Sequence, residues 1–263
     1  MPDLSSKRYV VTGVASGIGD ALARRLAAAG AEVTSLDRNA PSAPVAEHIE
    51  VDLVDPHSIH AAVARCAGRF DAVVNVAGVP RTLPADVVFA VNALAVREIS
   101  EAFFDRLTPG GSITVVSSIA GNNWPARLDA IGEALATASF EEGLAWFAEH
   151  PQEGNAYNFS KEVSTVYALA MGFLFAHNGI RINAVLPGPV ETPILADFEE
   201  SMGKETLDGL KRLLGRHATA DDVAKAIMFV ASDDASWVNG HALVVDGGVT
   251  GSVLTGVIPM PQI

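Results

Sequence analysis

Tyr157 and Lys161 stand four positions apart in the stretch NAYNFSKEV. On an α-helix residues at that spacing are stacked neighbours, so a phenol and an ammonium can meet on one face. Taking the proton of an alcohol as its hydride departs requires a base that works near neutral pH, whereas a free phenol titrates near about 10. A positive charge at about 4 Å is worth roughly 4 kcal/mol at an effective dielectric of about 20, or about three pKa units before burial offsets it. The pair thus reads as a tyrosine base tuned by a lysine. The same spacing also suits a lysine that merely lays its stem along a half-buried ring, so the rest of the chain must decide.

A second stretch with chemical potential is TGVASGIG, where Gly13, Gly17 and Gly19 follow RYVVT and lead into a helical pattern, with Ser16 and Ile18 between them. A backbone that turns sharply and approaches a pyrophosphate has no room for Cβ atoms, and the helix start offers unpaired N–H groups and the positive end of its dipole. Strand, loop and helix in this order predict a dinucleotide site. Eighteen residues beyond Gly19, Asp37 ends the next strand pattern. Its carboxylate can accept from both ribose hydroxyls of an adenosine and would repel the extra phosphate of NADP. Arg38 could hold that phosphate, but Asp37 would still face it and position 16 is Ser rather than a second cation. NAD is therefore expected over NADP. Asp52, with Leu53 after it, reads either as a contact to the adenine amino group or as an exposed strand-end carboxylate.

The elements that must position these loops are visible as an alternation. RYVVT, EVTSL, IEVDL, DAVVNV, SITVVS, IRINAVL and HALVVD are short β-branched runs separated by helical patterns. Seven such strands predict an α/β fold with a Rossmann-like, doubly wound, seven-stranded parallel sheet, and their nearly continuous apolar character predicts helices on both faces. Ile18, Leu22 and Leu26 recur every four residues before Gly30, which is placed to end that helix, while Val87, Val91, Leu94 and Ile99 keep a helical beat through 86–106. Thr219 with Asp222 reads as a helix cap. No repeat or linker divides the chain, so residues 1–263 are expected to form a single dinucleotide-binding catalytic domain.

Six motifs then fall in order: Thr12-Gly13-x-x-x-Gly17-x-Gly19, Asn75-Val76-Ala77-Gly78 at the fourth strand, Asn92 in the next helix, Ser118 after the fifth strand, Tyr157-x-x-x-Lys161, and Pro187-Gly188-Pro189-Val190-x-Thr192. In these the chain resembles the short-chain dehydrogenase/reductase family over nearly its whole length. The resemblance implies an NAD-dependent alcohol dehydrogenase or carbonyl reductase whose catalytic residues are Asn92, Ser118, Tyr157 and Lys161. Ser118, rather than Ser117, aligns with the family's serine and would hold the substrate oxygen. Lys161 would also hold the nicotinamide ribose, and Asn92 would support a water relay to it, unless its amide only bonds backbone. Asn75, Ala77 and Gly78 would border the cofactor. Pro187, Gly188, Val190 and Thr192 would fix the carboxamide end of the nicotinamide on a loop stiffened by prolines.

Ser118 and Tyr157 are 39 residues apart, much farther than the family pattern places them. Both must reach one substrate oxygen, so the intervening chain is expected to loop out as a helical insertion at about 122–154, between the fifth strand and the catalytic helix. Leu128, Ile131 and Leu135 form one stripe, and Ser139 with Glu142 reads as a capping box before GLAWFAEH. This small subdomain could cover the substrate or form a subunit contact. Similar insertions mark bacterial 3α-hydroxysteroid dehydrogenase/carbonyl reductases and bacterial coniferyl-alcohol dehydrogenases. The resemblance is nearer to the second group through WPARL, AGVP and GPVETPILADF. It implies a bulky apolar or aromatic alcohol as substrate, with Ser118, Tyr157 and Trp124 lining its pocket and residues at about 191–215 forming a lid. Arg127 would instead favour an acidic substrate if it pointed inward.

A net charge of −13 with dispersed Lys and Arg argues against nucleic acid or an anionic membrane as partner. A single cysteine, Cys66, on the apolar side of a helix reads as a structural thiol, and no apolar run is long enough to span a bilayer. A cytoplasmic homodimer or homotetramer acting on a small molecule is expected. His57 and His60 near Asp52 and Asp55 read as a solvated helix start rather than a metal site, and no metal is expected. A cofactor-sensing regulatory protein on the same fold is the rival from another class, but it would be expected to have lost catalytic residues.

Overall fold

The structure, a computed structural model, describes residues 4–202 and 204–258; residues 1–3, 203 and 259–263 of the expected single unit lie outside them. The strands are β1 (Arg8–Thr12), β2 (Glu32–Asp37), β3 (Glu47–Glu50), β4 (Phe70–Asn75), β5 (Leu107–Val116), β6 (Arg181–Pro187), β7 (Val190–Glu191), β8 (Ala218–Thr219) and β9 (Ala242–Val245). The helices are α1 (Gly17–Ala28), α2 (Pro56–Arg65), α3 (Ala85–Phe89), α4 (Ala95–Phe104), α5 (Leu128–Ala136), α6 (Phe140–Glu149), α7 (Ala156–Ala176), α8 (Leu195–Met202), α9 (Lys204–Leu214), α10 (Ala220–Ala231) and α11 (Val249–Leu254). Seven strands form one parallel sheet in the order β3-β2-β1-β4-β5-β6-β9, as the alternation predicts, while β7 and β8 pair separately.

Successive strand residues feed opposite faces, since Val10 and Val73 join one apolar cluster and Tyr9, Val11 and Val74 the other. Side chains alternating across the pleat explain this division. The strand order reverses between β1 and β4, and the loops leaving the carboxyl ends of these strands open a cleft there, where doubly wound sheets bind ligands. No helix among the described residues is long and apolar enough to cross a membrane.

Two elements differ from their sequence reading. The third strand begins and ends earlier, because its pairing with β2 stops at Asp37↔Glu50 and the next residues enter a turn. In that turn the Asp52 carboxylate accepts the Val54 N–H at 3.2 Å and the Asp52 N–H goes to Ser58 Oγ at 2.9 Å. The helix expected over 86–106 is interrupted by a π-helical turn at Ala90–Leu94 that contains Asn92. Such turns insert one residue into a helix and often occur at functional positions.

The insertion folds as two helices, α5 and α6, in the expected places. Arg97 of α4, itself buried, fixes their junction by donating to the carbonyls of Thr137 at 3.0 Å and Ser139 at 3.1 Å. Ser139 accepts the Glu142 N–H as the cap requires, whereas the Glu142 carboxylate reaches one residue further back, to the Ala138 N–H. Phe147 stacks on Phe89 with ring centroids 4.3 Å apart, so α6 is seated on α3.

Candidate active site

The glycine loop is constrained by close backbone approach. A Cβ on Gly19 would lie 2.0 Å from the Gly13 carbonyl oxygen, and one on Gly13, at φ +74°, would lie 2.7 Å from Ala77. Thr12 Oγ1 accepts the N–H groups of Val76 and Ala77, both at 3.0 Å, and locks the loop after β4 beside the glycines. Ser16 precedes α1 without capping it by its side chain, and Ser16, Gly17, Ile18 and Gly19 all line the cleft. First-turn amides with no side-chain cap are an anion cradle. The donor set at this end therefore fits a dinucleotide.

Asp37 sits at the end of β2 with each carboxylate oxygen already held, Oδ2 by the Ala15 N–H and Oδ1 by the Asn39 N–H, both at 2.9 Å. A carboxylate oxygen has two lone pairs, so each retains capacity for a ribose hydroxyl. Arg38, Asp52 and Leu53 line the same end of the cleft. Ala77, Gly78, Pro187, Gly188, Val190 and Thr192 line it farther along, and Thr192 lies close enough to Gly17 that a Cβ there would meet its methyl at 3.2 Å.

Asn75 is placed differently. Its side chain is buried and donates to Ser100 Oγ at 3.0 Å, within the core rather than along the cleft. Asn92 is also fully buried and grips Val79 in both directions, accepting its N–H at 2.9 Å and donating to its carbonyl at 3.0 Å. A Cβ on Gly78 would lie 3.3 Å from Asn92 Oδ1 and 3.4 Å from Lys161 Nζ, so these two groups flank the same glycine.

Ser118, Tyr157 and Lys161 converge on the cleft. Ser118 follows β5, its Oγ accepts the Ala120 N–H at 3.1 Å, and its hydroxyl is hydrogen-bonded to the Tyr157 phenol. Asn155 caps α7 by accepting the Asn158 N–H at 2.9 Å, which starts the helix just before Tyr157. Lys161 Nζ donates to the Val116 carbonyl at 3.1 Å and lies 5.7 Å from the centroid of the Tyr157 ring. Burial pushes the phenol up to about 12, with the Ser118 hydrogen bond pulling the other way, and burial lowers the ammonium to about 8. In the protein alone the lysine does not bring the phenol near working pH. Loss of hydration dominates both groups, and Lys161 is engaged with a strand carbonyl.

The cleft measures about 940 Å³, and its far part is walled by Val79, Leu83, Leu195, Leu207, Leu210 and Val253. Leu207 and Leu210 of α9 are buried, and His217 holds that helix through its Nε2, 3.1 Å from the Leu207 carbonyl. Helix α8 is tied to the loop after β4 by Thr82 Oγ1, which donates to Asp197 at 2.9 Å. Trp124 does not line the cleft; it packs against the apolar cluster beneath the insertion. Asn122 and Asn123 occupy the wall where the tryptophan was expected. The side chain of Asn122 donates to Thr250 of α11 at 3.2 Å. The α11 residues were missed in the sequence, although the apolar pair Val249 and Val253 at helical spacing after the last strand was a usable signal.

Arg127 turns away from the cleft. It lies 2.7 Å from the Glu162 carboxylate, donates to the Glu153 carbonyl at 2.8 Å and sits over the Phe159 ring at 5.1 Å. Neither the rest of the insertion from 124 onward nor the start of α7 before Tyr157 contributes to the cleft wall. Cys66 is buried at the end of α2, and burial pushes its thiol up to about 11, which leaves it inert.

Two family patterns match the chain, "short chain dehydrogenase" over residues 7–130 and "Enoyl-(Acyl carrier protein) reductase" over residues 147–250. A coniferyl-alcohol dehydrogenase of Pseudomonas sp. strain HR199 is 38% identical over 94% of this chain and 97% of its own length. A 3-alpha-hydroxysteroid dehydrogenase/carbonyl reductase of Comamonas testosteroni is 32% identical, covering 91% and 95% of the two chains. Among solved structures, the 3-alpha-hydroxysteroid dehydrogenase from Pseudomonas sp. B-0831 complexed with NADH is similar with a TM-score of 0.80 and 32% identity, over 95% of this chain and 99% of that one.

Proposed function

The chain belongs to the short-chain dehydrogenase family and is an NAD(P)-dependent oxidoreductase, and we propose that it oxidises a bulky, largely apolar alcohol of the aryl-allylic, coniferyl type with NAD and reduces the matching carbonyl. The observation that carries the substrate class is the wall beyond Ser118 and Tyr157, where Val79, Leu83, Leu195, Leu207, Leu210 and Val253 outnumber Arg81, Asn122 and Asn123, while Arg127 is spent on Glu162. Planar aromatic rings gain most from such walls. The likeness to the coniferyl-alcohol dehydrogenase supports the same reading.

In this proposal the first turn of α1 holds the pyrophosphate, Asp37 the adenosine ribose, and Lys161 the nicotinamide ribose. Bound nicotinamide supplies the hydride acceptor, or the donor in the reverse direction. Ser118 holds the substrate oxygen next to the Tyr157 phenol. At neutral pH the phenol carries its proton and Lys161 is largely charged, which suits proton donation to a carbonyl. Alcohol oxidation requires the phenolate, so the lysine and any further positive charge brought by oxidised nicotinamide must act against burial. Helices α8 and α9 serve as the lid over the apolar part of the cleft, with Asp197 latching it to Thr82.

Arg38 and Arg81 also line the cleft, the first beside Asp37 and the second next to Thr82. Steady-state kinetics with NAD on coniferyl alcohol, a 3α-hydroxysteroid and a small hydroxy acid test the proposal. Coniferyl alcohol is expected to give the highest kcat/KM. A steroid preference would redirect the assignment to the hydroxysteroid dehydrogenases, and a hydroxy-acid preference would overturn the apolar-wall argument and bring Arg81 into the site.

A further inference from the structure

Three consecutive residues at the end of β5 each place one polar atom on α7. The Val116 carbonyl receives Lys161 Nζ at 3.1 Å, Ser117 Oγ donates to the Lys161 carbonyl at 2.7 Å, and the Ser118 hydroxyl bonds the Tyr157 phenol. The outer two contacts involve groups to which the proposed chemistry gives a role. The middle one does not, yet it is shorter than the bond of the lysine to Val116 and lies in a sealed cluster. Ser117, Ser164 and Thr165 are all buried, Thr165 Oγ1 lies 2.8 Å from both Ser117 Oγ and the Lys161 carbonyl, and Ser164 Oγ lies 3.2 Å from that carbonyl. A Cβ on Gly121 would lie 2.7 Å from the same oxygen, so the chain after Ser118 wraps around the Lys161 carbonyl.

A helix carbonyl ordinarily has its partner in the N–H four residues later and needs no hydroxyls. Ser164 and Thr165 reach this one from three and four residues on in the same helix, as such hydroxyls ordinarily do, whereas Ser117 comes from the end of β5, so its bond keys a strand end to a helix in one register. The main-chain N–H of Ser117 is itself fixed to the Val185 carbonyl at 2.9 Å, so the key is anchored in the sheet. We propose that Ser117 is a positioning residue: through the Lys161 carbonyl it sets how far Ser118 on β5 stands from Tyr157 and Lys161 on α7. The proposal rests on the reading of Ser118, Tyr157 and Lys161 as the reacting group. Misplacement of reacting groups by about 1 Å can cost as much as a hundredfold in rate, whereas loss of one satisfied neutral hydrogen bond costs only about 1 kcal/mol of stability.

Ser117→Ala removes one oxygen and leaves the packing nearly unchanged. The assay uses coniferyl alcohol, or the 3α-hydroxysteroid where that is the better substrate, with melting temperature and NAD affinity measured alongside. The expected result is a fall of about tenfold or more in kcat, with KM and NAD affinity within about twofold of wild type. The rise of oxidation with pH should move to higher pH, because Ser118, whose hydrogen bond acts against burial on the phenol, no longer stands in its place. Ser117→Thr, which restores the hydroxyl, should recover most of the rate, and Ser164→Ala, at the edge of the cluster, should stay near wild type. Unchanged kcat and pH profile in Ser117→Ala, with only a lower melting temperature, would reduce Ser117 to a buried hydroxyl and overturn the proposal. Should that variant not fold, Thr165→Val removes the neighbouring hydroxyl at similar volume, and wild-type kcat there overturns it equally. Tyr157→Phe separates the two readings: if it keeps its turnover the site assignment itself fails, and if it is inactive while Ser117→Ala is normal only the positioning role fails.

Discussion

Arg127 and Glu162 form an ion pair at 2.7 Å that joins the start of the insertion to α7 one residue beyond Lys161. Glu162 is almost wholly buried, and burial holds its carboxyl above the ordinary carboxylate range despite the guanidinium. Removing one member of a buried pair leaves the other charge without compensation and costs about 3–5 kcal/mol, whereas replacing both by apolar groups costs far less. Arg127→Ala should therefore destabilise strongly in urea unfolding, and the double variant Arg127→Met, Glu162→Met should recover most of the loss. A single variant within about 1 kcal/mol of wild type would mean that the pair does not hold the insertion in place.

Lys161 stands in the opposite relation to stability. Its folded value, lowered to about 8 by burial, lies below the 10.5 of the unfolded chain, so folding works against the charged form. The cost is fully present below pH 8. Between pH 8 and 10.5 the folded state sheds the proton while the unfolded chain keeps it, so stability rises with pH across that window. Lys161→Met should abolish turnover, melt higher than wild type at pH 7 by an amount on the order of 3 kcal/mol, and lose the alkaline rise. Melting curves at pH 7, 8.5 and 10 check this; a less stable variant at pH 7 would show that the bond to Val116 outweighs desolvation.

The phenol gives a matching prediction for rate. With Tyr157 pushed up to about 12, the phenolate needed for alcohol oxidation is scarce at neutral pH and increases with pH, while the protonated phenol needed for carbonyl reduction is already present. Oxidation kcat/KM should climb steadily from pH 7 to 10 and reduction should not. Profiles in both directions decide it, and an oxidation rate that is flat above pH 7 would mean that the bound complex lowers the phenol below neutrality.

Much of the grouping of this candidate site was legible because its spacing is local. Gly13, Gly17 and Gly19, or Tyr157 and Lys161, are close in sequence and their spacing alone dictates shared geometry. The wall of the cleft is different: Asn122 and Thr250 meet at 3.2 Å across 128 residues, a contact no local period encodes. Trp124 illustrates the competing force. A large ring near Ser118 suggested a pocket wall, but burial against the core cluster claims it. Arg127 was ambiguous for the same reason, since its partner Glu162 enters only once α7 is docked. The π-helical turn at Asn92 had no signature in the apolar periodicity, which continues through it.

Cofactor choice should rest on Asp37. Wild type is expected to prefer NAD over NADP by at least about tenfold in kcat/KM, equivalent to about 1.4 kcal/mol. Asp37→Ser should narrow that gap and let Arg38 meet the 2′-phosphate. Because the carboxylate also holds the N–H groups of Ala15 and Asn39, the same variant should bind NAD more weakly. Equal use of both cofactors by wild type would show that Arg38 already governs the adenosine end.

Substrate discrimination should follow α9 rather than the insertion. Leu210 is buried and lines the cleft, so Leu210→Ala enlarges the apolar wall and removes contact area from a bulky substrate. A leucine side chain is worth about 1.5–3 kcal/mol on full burial, and part of that should appear as a loss of roughly tenfold in kcat/KM for coniferyl alcohol, with a smaller loss for a short aliphatic alcohol. Trp124→Ala should do the reverse, lowering the melting temperature through lost packing while leaving the KM for coniferyl alcohol within about twofold. The two variants together separate wall from scaffold. A KM rise confined to Trp124→Ala would place the tryptophan in the pocket and move the substrate toward the insertion, whereas an unaffected Leu210→Ala would mean that the alcohol does not extend under α9.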